Sequence, residues 1–142
     1  MANRVIVLGA FEFGGHWGQL EFLARAQQFG EVTVGLTSDA LLTATKRQPV
    51  FSFDERKEGL ERMGFTVVKR DQSNARSLFR KVKPSFFICG NDWLERDHLA
   101  SAGLDVEFLN ELACSVVYTP RNHSMSATKI IDSVKAQIVD HE

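Results

Sequence analysis

Apolar residues in this chain follow two alternating rhythms. Unbroken short runs, Val5-Ile6-Val7-Leu8 and Phe86-Phe87-Ile88-Cys89, read as strands; the first has no polar alternation and is expected to be covered on both faces. Glu31-Val32-Thr33-Val34-Gly35-Leu36, Phe65-Thr66-Val67-Val68 and Ser115-Val116-Val117-Tyr118 supply three more strands. Between the strands, apolar positions fall at helical spacing. From about Trp17 a helix face forms from Leu20, Leu23 and Ala24, widened by Phe22, Ala26 and Phe29, and Gly30 closes it as a C-terminal glycine. Pro49 ends the polar, basic stretch that follows a short helical start at Ala40. Ser52-Phe53-Asp54-Glu55-Arg56 starts another helix, with Ser or Asp capping and acids in the first turn, and it runs to about Met63 before Gly64. Asn74 to Val82 is helical, and Leu94–Leu99 and Asp105–Leu112 predict two short helices around Gly103. From Ser126 a last helix carries an apolar stripe of Ile130, Ile131, Val134 and Ile138.

Strands and helices alternate with no internal repeat, linker or low-complexity tract. The expectation is one α/β domain over residues 1–142, a doubly wound, five-stranded parallel sheet. Ligands of such sheets sit beyond the carboxyl ends of the strands, where strand order reverses. Three unusual segments fall at strand ends: Gly9–His16, Gly90–Trp93 and Pro120–Ser126. Topology predicts that they converge.

Composition narrows the function. A chain of 142 residues suits one domain, burying about 70% of the surface its unfolded form exposes. A net charge of −1 gives no basic field for nucleic acid or an anionic membrane, while a few local cations suffice for a phosphorylated small molecule. Cys89 and Cys114 have no metal-ligand spacing and read as buried, reduced thiols. No apolar run reaches transmembrane length and the N-terminus lacks a signal-peptide pattern, so a soluble, cytoplasmic protein is expected.

The stretch after the first strand is Gly9-Ala10-Phe11-Glu12-Phe13-Gly14-Gly15-His16-Trp17-Gly18-Gln19. A strand, a glycine-bearing turn and a helix start make a natural phosphate seat, because free backbone N–H groups and the dipole's positive end face the turn. Gly9 and Gly14 have Walker A spacing, but Gly15 and His16 stand where Lys and Ser/Thr belong, and the G-x-G-x-x-G fingerprint is absent too. His16 beside Gly18 also suits an imidazole that merely caps or packs at a helix start. Further on, Arg121 precedes a helix whose first turn offers Ser126 and Thr128, a grip for phosphate oxygens or, equally, a plain Ser cap beside a surface arginine. Gly90-Asn91-Asp92-Trp93 alone is a turn, and Lys46 and Arg47 alone are solvated loop cations.

Together these segments resemble a family. Gly-Ala-Phe-Glu-x-x-x-His-Trp-Gly-Gln is similar to the G-(T/S)-F-D-x-x-H-x-G-H signature of small cytidylyltransferases, nearest the glycerol-3-phosphate cytidylyltransferases. It carries one extra residue, Ala10 for Thr/Ser, Glu12 for Asp and Gln19 for the second His. Arg121 to Ile130 resembles the family's R-T-x-G-(I/V)-S-(T/S)-(T/S)-x-(I/L) motif, matched at Arg121, Ser126, Thr128 and Ile130. Gly90 to Trp93 is similar to its G-x-D-W turn by the base, and Ser52-Phe53-x-x-Arg56-Lys57 to its S-x-x-x-R-(K/R) helix start. Gly64 stands where the family often has a second arginine, an aromatic that helps hold the base is missing from Asp71-Gln72-Ser73, and the acceptor region after Trp93 is longer.

The resemblance implies a Rossmann-like nucleotidyltransferase fold and transfer of CMP from CTP to a small phosphorylated acceptor, such as glycerol 3-phosphate or a sugar or polyol phosphate. His16, Gln19, Lys46 and Arg121 would be catalytic. Gly9, Ala10, Phe11, Glu12, Arg47, Arg56, Gly90, Asn91, Asp92, Trp93, Ser126 and Thr128 would bind the nucleotide. Mg²⁺ would ride on the phosphates with no protein metal site, and two copies would form a homodimer. Two alternatives stand beside this: an adenylyltransferase of the same superfamily, and a nucleotide-binding protein that has lost catalysis because Gln19 is neutral.

Overall fold

The computed structural model describes residues 3–12, 17–90, 98–120 and 127–140. Five strands, β1 (Arg4–Gly9), β2 (Glu31–Thr37), β3 (Thr66–Arg70), β4 (Phe86–Gly90) and β5 (Ser115–Thr119), form one sheet in the order β3-β2-β1-β4-β5. Every pairing is parallel, as expected for strands joined by helical crossovers. The helices are α1 (Trp17–Gln27), α2 (Asp39–Thr45), α3 (Phe53–Arg62), α4 (Arg76–Val82), α5 (His98–Ser101), α6 (Val106–Glu111) and α7 (Ala127–Asp140).

Strand β1 is central, and Val5, Ile6 and Val7 are completely buried because both faces of the sheet are covered. Val5 and Val7 join Leu23 and Ala26 of α1 and Phe53 and Leu60 of α3 in one core. Ile6 points the other way, into a second core with Phe79 and Val82 of α4 and Phe108 and Leu109 of α6. The chain builds outward from β1 through β2 to β3, then returns to lay β4 and β5 on the opposite side. Strand order therefore reverses between β1 and β4. The β1–β2 ladder is registered from Arg4↔Glu31 to Gly9↔Leu36, whereas β1 and β4 pair only at Val5↔Phe86 and Ile6↔Phe87. Above Ile6 these two neighbours share no further ladder, which opens a crevice at their carboxyl ends.

Local signals set most boundaries. Ser52 caps α3 in a reciprocal capping box with Glu55, both bonds 3.2 Å. Gly30 and Gly64, just past α1 and α3, take φ of +151° and +94°, values glycine adopts readily. Four expectations shift. β3 starts one residue later and runs on to Arg70, and α4 begins at Arg76 because Asn74 accepts from the Arg76 N–H at 3.0 Å before the helix. In α1 the buried residues are Leu23 and Ala26, while Leu20 (39% exposed) and Ala24 face outward, so the face is rotated from the one read in the sequence. In α7, Val134 is 50% exposed rather than buried in a core stripe. Of the two short helices expected around Gly103, the second is α6, and the first is described only as α5.

Candidate active site

The turn after β1 folds back on itself. Phe11 has φ +44°, a backbone conformation that is uncommon for an aromatic residue, and its ring is 5% exposed within the first core. The ring crosses so close to Gly9 that a Cβ there would stand 2.8 Å from Phe11 Cε2, so glycine is needed at this position. Burial of the Phe11 ring holds the strained turn in place, a pattern common where a chain is shaped for a ligand.

The next residue brings charge inward. Glu12 is 2% exposed, and its Oε1 accepts from an Arg47 terminal nitrogen at 2.5 Å. Its other oxygen, Oε2, is buried with no hydrogen-bond partner among the described residues. A desolvated carboxylate oxygen left in this state is unusual and suits a site that expects a donor or a cation. Arg47 follows the end of α2, where its N–H and that of Lys46 both donate to the Leu42 carbonyl, at 3.0 and 2.8 Å. Lys46 itself is exposed.

Arg56, at the fourth position of α3, is buried and binds the chain in several directions. Its Nε donates to the Phe51 carbonyl (3.1 Å), one terminal nitrogen to the carbonyls of Ala10 (2.8 Å) and Thr37 (2.9 Å), and the other to Asp39 Oδ1 (2.8 Å). One guanidinium thus fixes the turn after β1, the end of β2, the start of α2 and the loop before α3. Burial works to raise the Asp39 pKa, but a backbone hydrogen bond at Phe53 and the charges of Arg56 and Lys69 outweigh it and leave the carboxyl below its ordinary value.

Strand order brings the described ends of the three expected segments onto adjacent strands, with Gly9 on β1, Gly90 on β4 and Thr119-Pro120 after β5. Gly90 is buried and in register with Thr119. Gly9, Ala10, Phe11, Glu12, Arg47 and Arg56 form one connected corner. Gln19 lies part-buried in the first turn of α1 and Thr128 in the first turn of α7. His16, Asn91, Asp92, Trp93, Arg121 and Ser126 lie outside the described residues. Two contributors escaped the sequence reading. Asp39 anchors Arg56, and Arg25 of α1 donates to the Pro120 carbonyl at 3.0 Å, steadying the exit of β5. Neither has a local signal, because each partner is remote in sequence.

Comparison with known proteins agrees with this architecture. The cytidylyltransferase-like family model matches residues 7–133. The glycerol-3-phosphate cytidylyltransferase of Bacillus subtilis (strain 168) is 26% identical over 136 residues, covering 93% of this chain and 97% of the relative. That of Staphylococcus aureus (strain NCTC 8325 / PS 47) is 25% identical over 132 residues, covering 90% and 92%. In fold, the chain is similar to the crystal structure of the lipopolysaccharide core biosynthesis protein from Thermoplasma volcanium GSS1, with a TM-score of 0.68, 18% identity, and coverage of 86% of this chain and 98% of that one. A family match across nearly the whole chain, on a sheet whose order reverses beside the glycine-bearing turn, establishes that the chain belongs to the cytidylyltransferase-like family of nucleotidyltransferases.

Proposed function

We propose that the protein transfers CMP from CTP to a small phosphorylated acceptor, glycerol 3-phosphate or another polyol or sugar phosphate, and releases pyrophosphate. The observation that carries this reading is the end-to-end likeness to two glycerol-3-phosphate cytidylyltransferases, which leaves no large part of either protein unmatched. An oxygen of the acceptor phosphate attacks the α-phosphorus, the bond from that phosphorus to the bridging oxygen breaks, and pyrophosphate departs with the electron pair. Such a reaction asks the protein for alignment and charge stabilisation. His16, Lys46, Arg47 and Arg121 neutralise charge on the α- and β-phosphates, with Gln19 as a neutral donor beside them. Ser126, Thr128 and the start of α7 hold the β/γ end. Gly9, Ala10 and Phe11 lie against the nucleotide, and Gly90, Asn91, Asp92 and Trp93 lie by the base. Arg56 serves as a positioning residue through its bond to the Ala10 carbonyl.

The residues present are compatible with Mg²⁺ carried on the phosphates. No group of three or more His, Cys, Asp or Glu able to cage a metal occurs among the described residues, and the buried Glu12 Oε2 is an oxygen that could join a phosphate-bound ion. When bound, the ion would neutralise phosphate charge. A homodimer and a cytoplasmic setting belong to the same proposal, and so does one nucleotidyltransferase domain over residues 1–142. Light scattering at twice the 15.9 kDa chain mass tests the dimer.

The decisive experiment measures pyrophosphate release with each of the four nucleoside triphosphates against a panel of polyol and sugar phosphates. CTP should support the fastest release, and His16→Ala or Arg121→Ala should lower it about 100- to 1000-fold with unfolding unchanged. Faster release with ATP would replace this reading with adenylyl transfer. A second reading, nucleotide binding without catalysis, is favoured by Gln19, whose amide cannot supply the charge of an imidazolium. On the catalytic reading Gln19→His speeds release roughly ten- to thirty-fold. No release from either protein, while CTP still raises the unfolding temperature, would establish the non-catalytic one.

A further inference from the structure

Arg70 closes β3 at the same carboxyl edge of the sheet, in register with Thr37. Two residues earlier, Val68 packs against the second core, so Arg70 faces the α4 side of the sheet. One terminal nitrogen donates to the Ser73 carbonyl at 2.7 Å. Its Nε is buried and has no hydrogen-bond partner among the described residues. Three other arginines each meet a carboxylate. Arg47 meets Glu12 at 2.5 Å, Arg56 meets Asp39 at 2.8 Å and Arg76 meets Asp105 at 2.9 Å. Among the described residues Arg70 has no such carboxylate, and burial pulls its pKa below the ordinary value. A guanidinium held partly out of water without a counter-charge is costly unless a ligand supplies one.

The chain after Arg70 is tied to the turn between α5 and α6. Beyond Ser73, the Ala75 N–H donates to the Ala102 carbonyl at 2.7 Å. Arg76 donates to the Gly103 carbonyl at 2.6 Å and to Asp105 at 2.9 Å. The loop that carries Arg70 is thereby locked to the turn between α5 and α6, the part of the chain that follows Gly90 on the α4 side of the sheet.

Resting on the nucleotidyl-transfer reading, we propose that Arg70 binds an anionic group of the acceptor, phosphate or carboxylate, through its guanidinium, whose Nε has no partner among the described residues, at the carboxyl end of β3. Arg70 ends the edge strand β3, two strands out from β1, and the CTP arm of the test separates an acceptor contact from a nucleotide contact. A planar fork of donors matches a phosphate or carboxylate bidentately, and such bonds are strong when desolvated.

The test titrates the wild type, Arg70→Gln and Arg70→Lys with glycerol 3-phosphate, ribose 5-phosphate, 3-phosphoglycerate and, separately, CTP, using calorimetry so that no turnover is needed. At least one acceptor probe should lose affinity about ten- to a hundred-fold in Arg70→Gln, with partial rescue in Arg70→Lys. CTP affinity should stay within about two-fold. A stronger loss for 3-phosphoglycerate than for the other two assigns the carboxylate as the anion held. The assignment fails if no acceptor probe binds the wild type, if Arg70→Gln binds them unchanged, or if acceptor and CTP weaken together. Loss of acceptor binding in Arg70→Gln from a wild type that releases no pyrophosphate would keep the site and discard the transfer reading.

Discussion

Two corners of this sheet are each organised by an arginine, and they differ in what the arginine touches. At the β1–β2 corner, Arg56 places hydrogen bonds on three carbonyls and one carboxylate from four different segments. At the β3 corner, Arg70 makes a bond of 2.7 Å to Ser73 and keeps a buried Nε without a partner among the described residues. The first guanidinium belongs to the architecture, since its donors are matched by the chain itself and removing it leaves several buried acceptors bare. The second is partly desolvated and matched by the described chain at one donor, which costs stability and suits an incoming anion. Glu12 is the acidic counterpart of this second kind, with one oxygen on Arg47 and one without a partner among the described residues. Burial alone therefore separates nothing here; the division falls between polar groups that are satisfied and those that are not.

The largest expected effect comes from Arg56→Ala. Removing it orphans the Ala10, Thr37 and Phe51 carbonyls and should cost about 3–5 kcal/mol in urea unfolding. Arg56→Lys should recover little, since an ammonium cannot span four acceptors. A cost under about 1 kcal/mol would erase the contrast between the corners. Arg70→Met should do much less, leaving stability unchanged or raising it by about 1 kcal/mol, because a desolvated charge is exchanged for an apolar chain of similar length. A comparable destabilisation would make Arg70 structural.

The smallest effect is a pH dependence confined to the first corner. The folded chain holds the Asp39 carboxyl below its ordinary pKa of 3.8. Its contribution is therefore complete above that value and is lost as pH falls through the lower folded pKa. Urea midpoints of the wild type and Asp39→Asn should converge as pH drops from about 5 to 3. Wild type and Arg70→Met should keep a constant separation over the same range, since no carboxylate among the described residues pairs with Arg70. Converging curves for Arg70→Met would reveal an acid acting on it.

Local chemistry made the elements legible. The unbroken Val5–Leu8 run, the Ser52–Glu55 capping pattern and the glycines after α1 and α3 act within a turn or a strand of themselves, so sequence alone placed the strands and most helices. The same is true of the family's motifs, which are contiguous and carry the resemblance, including the loss of the second histidine at Gln19. Tertiary structure alone decided the strand order, the crevice between β1 and β4, and which face of α1 is buried. It also decided what each arginine does. Arg47, Arg56 and Arg70 are chemically identical side chains, and what distinguishes them is a partner far along the chain or the lack of one. Arg47 meets Glu12 from 35 residues away and Arg56 meets Ala10 from 46. Side-chain type fixes what a group can donate, but only the folded chain determines which acceptors are brought within reach and which donors are shut away from water.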